Sequence, residues 1–389
     1  MRVLITSPVF PPDLGGPAVY VPSLGRFLVE RGHEVDVIAF CSDPEPRGWP
    51  FGVKAVQRGP LPVRYLRAFL EVFKVAHRYD VVYVQEHLAL LHVLAARLRR
   101  RPVVIRIMVD GAWEIAHRKG WCGDDDIVTF QGHGYGWQVR LTRLLQRTWW
   151  GWCSHIISCS EFLRQILIQH HGVPAQKVQK IFNAYHGPSP DEVPPRSDAL
   201  REELGLEPDR RYLLTICRLM VWKRVDGILR ALALLPEDVH LLIAGDGDKE
   251  EEWKQLAVEL GVSERAHFLG NVAHERIPLY IRAADVFILN SRYEGLSHTL
   301  LEVLQLDTPM IASDVCGNPE VVEDEVNGLL VDPADHEALA RAATRLLEDP
   351  ELGRRFAAAG RARRQDFDRS RTFGEVEQAL LRVAGKAPS

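Results

Sequence analysis

A chain of 389 residues is long enough for two domains, each with a sizeable core. Its formal net charge of -4 gives no global footprint of nucleic-acid binding. The six cysteines (41, 122, 153, 159, 217 and 316) form no CxxC pair and no His–Cys spacing, so they read as reduced thiols of a cytoplasmic protein rather than disulfides or metal ligands. The apolar start Val3–Ile5 is too short for a signal peptide, and no apolar run approaches a membrane span.

Taken in order, the chain alternates short apolar runs with helical periodicity. Residues 3–6 read as a buried strand, followed by a turn-rich loop carrying Gly15 and Gly16. Val19, Leu24, Phe27 and Leu28 recur at helical spacing up to Arg31-Gly32, and residues 34–39 form the next strand. Strand, glycine loop, helix and strand make a βαβ unit, hence a parallel sheet. A helix over 62–78, strands at 80–84 and 102–107, and a helix over 88–98 continue the pattern. Glu86, His87 and Asp110 fall just past strands, and Asp110 is the better candidate for a ligand contact. The run Asp124-Asp125-Asp126 reads as a solvated loop, not a metal site.

Residues 136–152 interleave Arg140, Arg143 and Arg147 with Trp149, Trp150 and Trp152. A domain helix with apolar residues inward and arginines in water is the preferred reading. A peripheral membrane contact of the N-terminal domain, on the inner face of a membrane, stays open. A strand over 156–160 ends at Ser160, which caps a helix to 168, and a strand over 178–182 ends at Asn183.

From 187 to 208 prolines and acids mark a linker with one short helix over 197–204. The second domain, 209–365, repeats the α/β pattern with strands at 212–216, 240–244, 267–270, 284–289, 309–313 and 328–331. The glycines in Gly245-Asp-Gly247 lack the third glycine of a dinucleotide fingerprint, which argues against an NAD enzyme. Arg218 and Lys223 follow the first of these strands. Glu294, Gly295, Leu296, Ser297, His298 and Glu302 follow the fourth, in a loop that becomes a helix. Two cations, a helix start and two flanking carboxylates suit a phosphate with hydroxyls on either side, as in a sugar nucleotide.

These residues resemble glycosyltransferase family 4, the retaining transferases of GT-B fold. The likeness is carried by Arg218…Lys223, Ile243-Ala-Gly-Asp-Gly247, Phe268-Leu269-Gly270, Glu294-Gly295…Glu302 and Gly317-Asn-Pro-Glu320. Gly15-Gly16, Arg31-Gly-His-Glu-Val35, Ser160 and Asn183 add to it. The resemblance implies an α/β protein of two Rossmann-like domains facing across a cleft, with the final helix (366–389) crossing back onto the first domain. It implies that Arg218 and Lys223 bind the donor's diphosphate, Glu294 its sugar and Glu302 its ribose. Gly15 and Gly16, Gly245 and Gly247, Phe268 and Leu269, and Gly295 to His298 are the other expected donor contacts.

The implied reaction transfers a hexose-type sugar from a UDP- or GDP-sugar to an acceptor hydroxyl. It forms an α-linkage, with no metal and no cofactor. The acceptor, whether saccharide, lipid-linked or small molecule, is not readable. A nucleotide-sugar epimerase or hydrolase of the same fold and a non-catalytic binding subunit are the alternatives. One departure concerns the slot after residue 107, where many members carry a histidine. Here Asp110-Gly-Ala-Trp-Glu114 resembles a Gly-Asp-x-x-Trp-Glu variant, with Val109 for its glycine, and this leaves Asp110 as the expected catalytic-site residue. Cys316 also replaces a frequent glycine.

Overall fold

The computed structural model describes residues 1–387 apart from 14, 58 and 86–88, so Glu86 and His87 lie outside the described residues. The chain forms two compact units, residues 1–186 with 368–389 and residues 187–367.

The first unit is built on seven strands: β1 Arg2–Ser7, β2 Glu34–Phe40, β3 Gly52–Val56, β4 Val81–Val84, β5 Val103–Ile107, β6 His155–Ser158 and β7 Val178–Lys180. All pair in parallel, in the order β3-β2-β1-β4-β5-β6-β7. Helices cover both faces of such a sheet, so its central strands are mostly apolar, and the buried Arg106 of β5 is met by the carbonyls of Ile181 and Phe182 and by Asn183 Oδ1. Every residue of β4 and β5 is buried. The edge strand β3 has no apolar run, only Gly-Val-Lys-Ala-Val with one fully buried residue, and the sequence reading passed over it.

The final helix, Arg369–Val383, belongs to this unit. Phe373, Val376, Ala379 and Leu380 enter the same core as Val3, Leu24 and Val37. Phe373 meets Tyr20 and Phe27 edge-on. Glu377, buried on that helix, bonds the His33 ring at 2.8 Å and pairs with Arg31 at 3.3 Å. The Arg31-Gly-His33 segment that ends the first helix is thus the anchor for the last one.

The second unit holds β8 Arg211–Ile216, β9 Val239–Ala244, β10 Ala266–Gly270, β11 Val286–Leu289, β12 Met310–Ser313 and β13 Leu329–Val331. They are parallel in the order β10-β9-β8-β11-β12-β13. Residues 187–208, read from the sequence as a linker, are part of this unit. Arg201 is the reason: it is buried, donates to the carbonyls of Ala283, Pro208 and Arg210, and pairs with Asp285 at 2.7 Å.

In each sheet the strand order reverses once, between β1 and β4 and between β8 and β11. Open α/β sheets bind ligands outside the strand C-termini at that reversal. Among the described residues no helix is long and apolar enough to cross a membrane.

Candidate active site

The reversal point of the second sheet brings the expected charges together. The loop after β8 ends in a short turn, Val221–Lys223, and Arg224 in the left-handed conformation (φ 50°) then starts the helix Val225–Leu232. The loop after β11 carries Glu294. Lys223 Nζ donates to Glu294 Oε1 at 2.5 Å, with side chains 18% and 12% exposed. Burial alone would favour neutral Lys223, but the charge of Glu294 outweighs it and the ammonium's pKa is raised. The backbone ties the same two loops, since Arg292 N donates to Trp222 O at 2.7 Å. Arg218 is exposed in the β8 loop and has no carboxylate partner among the described residues. Cys217, next to Arg218 in the chain, is a neutral thiol that burial pushes up to about 11.

Glycines set how closely the loops approach. A Cβ on Gly245 (φ 129°) would lie 1.9 Å from Cys217 O, and one on Gly247 (φ 157°) 2.5 Å from Leu219 O. Leu219 N donates to Asp246 O at 2.7 Å across that contact. The glycines of the β9 loop therefore hold it against the loop of Arg218; Gly247 also leaves exposed backbone. A Cβ on Gly317 would stand 2.1 Å from Gly295 O, and Gly317 N donates to Glu294 O at 3.0 Å, so the β12 loop fixes the backbone at Glu294 and Gly295. Its neighbour Cys316 sits at φ 55°, the left-handed region where glycine carries no Cβ penalty. That explains a frequent glycine at this slot and makes the cysteine locally strained.

Ser297 caps the helix His298–Gln305 by accepting from Leu300 N at 3.3 Å. Leu300, Leu301, Val303 and Leu304 face the core, and Leu296 is buried ahead of them. Glu302 takes the half-buried side of the helix, where desolvation raises its carboxyl to about 7. Phe268 and Leu269 are half-buried at the C-terminal end of β10. They lie on the same sheet edge, beyond the β9 loop from the Lys223–Glu294 pair.

Sequence reasoning missed the polar layer beneath these loops. Buried Asn290 donates to Arg224 O (3.2 Å) and Pro333 O (3.4 Å), and it fills the space that a Cβ on Gly227 would take. Ser313 Oγ donates to Ser291 O at 2.5 Å, and Asn318 Nδ2 donates to Ser313 Oγ at 3.0 Å. The signal was available: β11 and β12 are apolar, and each ends in or gives way at once to small polar residues.

In the first unit, Gly15 (φ 152°) precedes the helix Gly16–Glu30, and both glycines are exposed. A Cβ on Gly16 would meet nothing within 4 Å. Asp110 requires a correction. It is fully buried, and its carboxylate is taken up inside the protein. Oδ1 accepts from Ala112 N (3.0 Å), Trp113 N (3.3 Å) and Gln146 Nε2 (2.8 Å). Oδ2 accepts from Gln131 Nε2 (2.7 Å) and His171 Nε2 (2.8 Å). Burial by itself would raise this carboxyl; the bonds and charge from His171, then Gln146 and Gln131, outweigh it and hold the pKa at about 2. A carboxylate with five donors and no exposure has nothing left for a sugar hydroxyl. Asp110 is the N-cap of the helix Gly111–Arg118 and the hub joining it to three later segments. Asp126 plays a smaller version of the part, capping Ile127–Gly132.

Two family models match the chain: "Glycosyl transferase 4-like domain" over residues 15–184 and "Glycosyl transferases group 1" over 196–363. The chain belongs to the family 4 glycosyltransferases. An uncharacterized glycosyltransferase of Methanocaldococcus jannaschii is 26% identical over 90% of both chains. A GDP-mannose-dependent alpha-(1-6)-phosphatidylinositol monomannoside mannosyltransferase of Mycolicibacterium smegmatis is 27% identical over 97% of this chain and 98% of its own. Among solved structures, Anabaena HepE in complex with UDP-glucose superposes with a TM-score of 0.77 at 23% identity, over 98% of this chain and 99% of that one. The GT-B fold of this glycosyltransferase is thus reached from the strand order and from its structural neighbours alike. Within it, Lys223 and Glu294 touch, Arg218 lies in the same loop as Lys223, Glu302 sits about one turn into the adjoining helix, and Asp110 stands apart as an internal brace.

Proposed function

We propose that this glycosyltransferase moves a hexose-type sugar from a UDP- or GDP-sugar to an acceptor hydroxyl, with retention and an α-linkage. The observation that carries the reading is the Lys223–Glu294 pair beside Arg218 at the reversal point of the second sheet. Arg218 and Lys223 hold the diphosphate, the arginine through its fork and the lysine as a point charge. Glu294, released from Lys223 as phosphate takes its place, accepts from the sugar hydroxyls. Glu302 accepts from the ribose. Within the first unit, Gly16 leaves open space where a side chain would be, at the start of a helix.

In the reaction the bond from the sugar's anomeric carbon to the β-phosphate oxygen breaks. The acceptor oxygen bonds that carbon from the same face, and its proton passes to the departing phosphate. Charge grows on the diphosphate as the bond opens, and the fixed cations stabilise it in place of a metal. Turnover is accordingly expected to survive a chelator. The relatives' GDP-mannose and UDP-glucose support a nucleotide-sugar donor. An acceptor carried by a lipid would suit a first unit that touches a membrane.

A thermal-shift series with UDP, GDP and ADP tests the donor reading. A nucleotide at 100 times its dissociation constant adds about 2.7 kcal/mol of stability. One of the first two should raise the melting temperature by several degrees; no response to any nucleotide would refute the reading.

The pH dependence tests Glu302 separately. With its folded pKa near 7, ionised Glu302 becomes the main form only above neutrality. Nucleotide affinity should rise by up to roughly tenfold per pH unit below that point and level off above it. Glu302→Gln should flatten the profile. The same group should make the free protein less stable as pH rises from about 4.5 toward 7, because the unfolded carboxyl loses its proton first.

A further inference from the structure

The first unit carries an apolar and basic surface that the donor chemistry does not use. The helix Leu61–Val75 buries Ala68 and Val72 and turns Val63, Leu66 and Leu70 outward, with Arg67 and Lys74 on the same stripe. The helix Trp137–Trp152 buries Val139, Gln146 and Trp150. Its opposite face shows Trp137, Leu141 and Leu144, with Arg140 beside them. This amends the expectation of apolar residues inward and arginines in water: Val139, Trp149 and Trp150 are inward and Arg140 and Arg147 exposed, but Trp137, Leu141 and Leu144 share the outer face with the arginines. Leu66 is 55% exposed, Trp137 70% and Leu144 61%. The helix Leu90–Leu98 packs against both, so the two stripes belong to one helical layer.

The charge of that layer is one-sided. Residues 61–78, 90–101 and 137–152 contain four, four and three Lys or Arg, and Glu71 is the single acid. The whole chain, in contrast, has a net charge of -4. Arg143 feels the charge of the buried Asp110; the other contacts of these cations are mostly to carbonyls and rings. Arg99 lies over the Phe73 ring and donates to Phe73 O, Arg147 donates to His170 O, and Arg143 to His133 O. Among the described residues, only Lys74 of these eleven has a carboxylate partner, Glu71 at 2.8 Å. Carbonyl and ring contacts hold a guanidinium in place and leave its charge to the field outside.

We propose that this layer docks on a bilayer containing anionic phospholipid. Outward leucines and a tryptophan among basic side chains are what an interfacial helix presents: apolar groups at the acyl boundary and cations at the phosphates. A second copy of the chain is the poorer occupant, because a symmetric contact would press two basic faces together. The layer lies in the first unit and contains none of the residues assigned to the donor.

Vesicle flotation of the full chain tests it, with phosphatidylcholine alone against phosphatidylcholine containing about one-third phosphatidylglycerol. The chain should float with the anionic vesicles, at least tenfold less with the neutral ones, and release as salt is raised. Leu66→Asp with Trp137→Asp should abolish flotation. Arg67→Gln with Arg140→Gln, which spares the apolar packing, should weaken it at least severalfold and reduce the salt dependence. Each variant is checked for an unchanged melting temperature, and a variant that melts lower is replaced by the Arg→Gln pair. Equal flotation with both vesicle types would overturn the proposal, as would full binding by the Arg→Gln pair. So would a dimer in sedimentation that these substitutions split while the unmodified chain stays with the soluble fraction.

Discussion

Replacing Asp110 by alanine should destabilise the first unit by on the order of 3–5 kcal/mol, the range for removing one member of a buried, charge-paired network. For a unit of this size that is a fall in melting temperature of roughly 10 °C. The loss has identifiable parts. Trp113 N loses its side-chain acceptor, Ala112 N keeps only Gln146 Oε1, and the side chains of Gln131, Gln146 and His171 each lose the carboxylate they donate to. Asp110→Asn should be milder, because its remaining oxygen still caps the helix while its amide opposes Gln131 and His171. Turnover per folded molecule, measured well below the transition, should be close to unchanged in the asparagine variant. A large drop in turnover with no loss of stability would restore the sequence-based view of Asp110 as a contact to substrate. The pH dependence has a definite sign. The carboxyl titrates near 2 in the folded chain against 3.8 when free, so its contribution is complete above about pH 4. It is lost as pH falls toward 2, and the gap between Asp110→Ala and the unmodified chain should close over that interval.

Lys223→Ala should lower turnover on the order of 100- to 1,000-fold, the usual effect of deleting one fixed donor aimed at a developing charge. This variant also leaves Glu294, 12% exposed at its side chain, without its partner, so some stability is lost with the activity. The double variant Lys223→Ala with Glu294→Gln separates the two effects. It removes the uncompensated charge and should recover most of the melting temperature, while turnover stays low. Recovery of turnover along with stability would mean that Lys223 serves the fold and not the diphosphate. Nucleotide-induced stabilisation gives a second readout, since it should shrink in Lys223→Ala and in Arg218→Ala, whose side chain is exposed and has no carboxylate partner among the described residues.

The sequence alone was enough for the parallel α/β architecture, because strands buried on both faces must be largely apolar, as β4 and β11 are throughout and β5 and β9 are but for Arg106 and His240. It also determined the loops in which Arg218, Lys223 and Glu294 stand and the helix that carries Glu302, because charges and glycines directly after buried strands have few purely local uses. What it lacked was the partner of each group. Asp110 and Glu294 look alike as acids in post-strand loops; the fold encloses the first among five donors and sets the second against a lysine at the sheet's reversal point. The linker likewise appeared free until Arg201 found Asp285, 84 positions away. The direction that Trp137 and Leu144 face was decided by which side of their helix met the neighbouring helices. Local pattern fixes a residue's element and period, whereas burial and electrostatic pairing depend on segments distant in the chain, and only the folded structure brings those together.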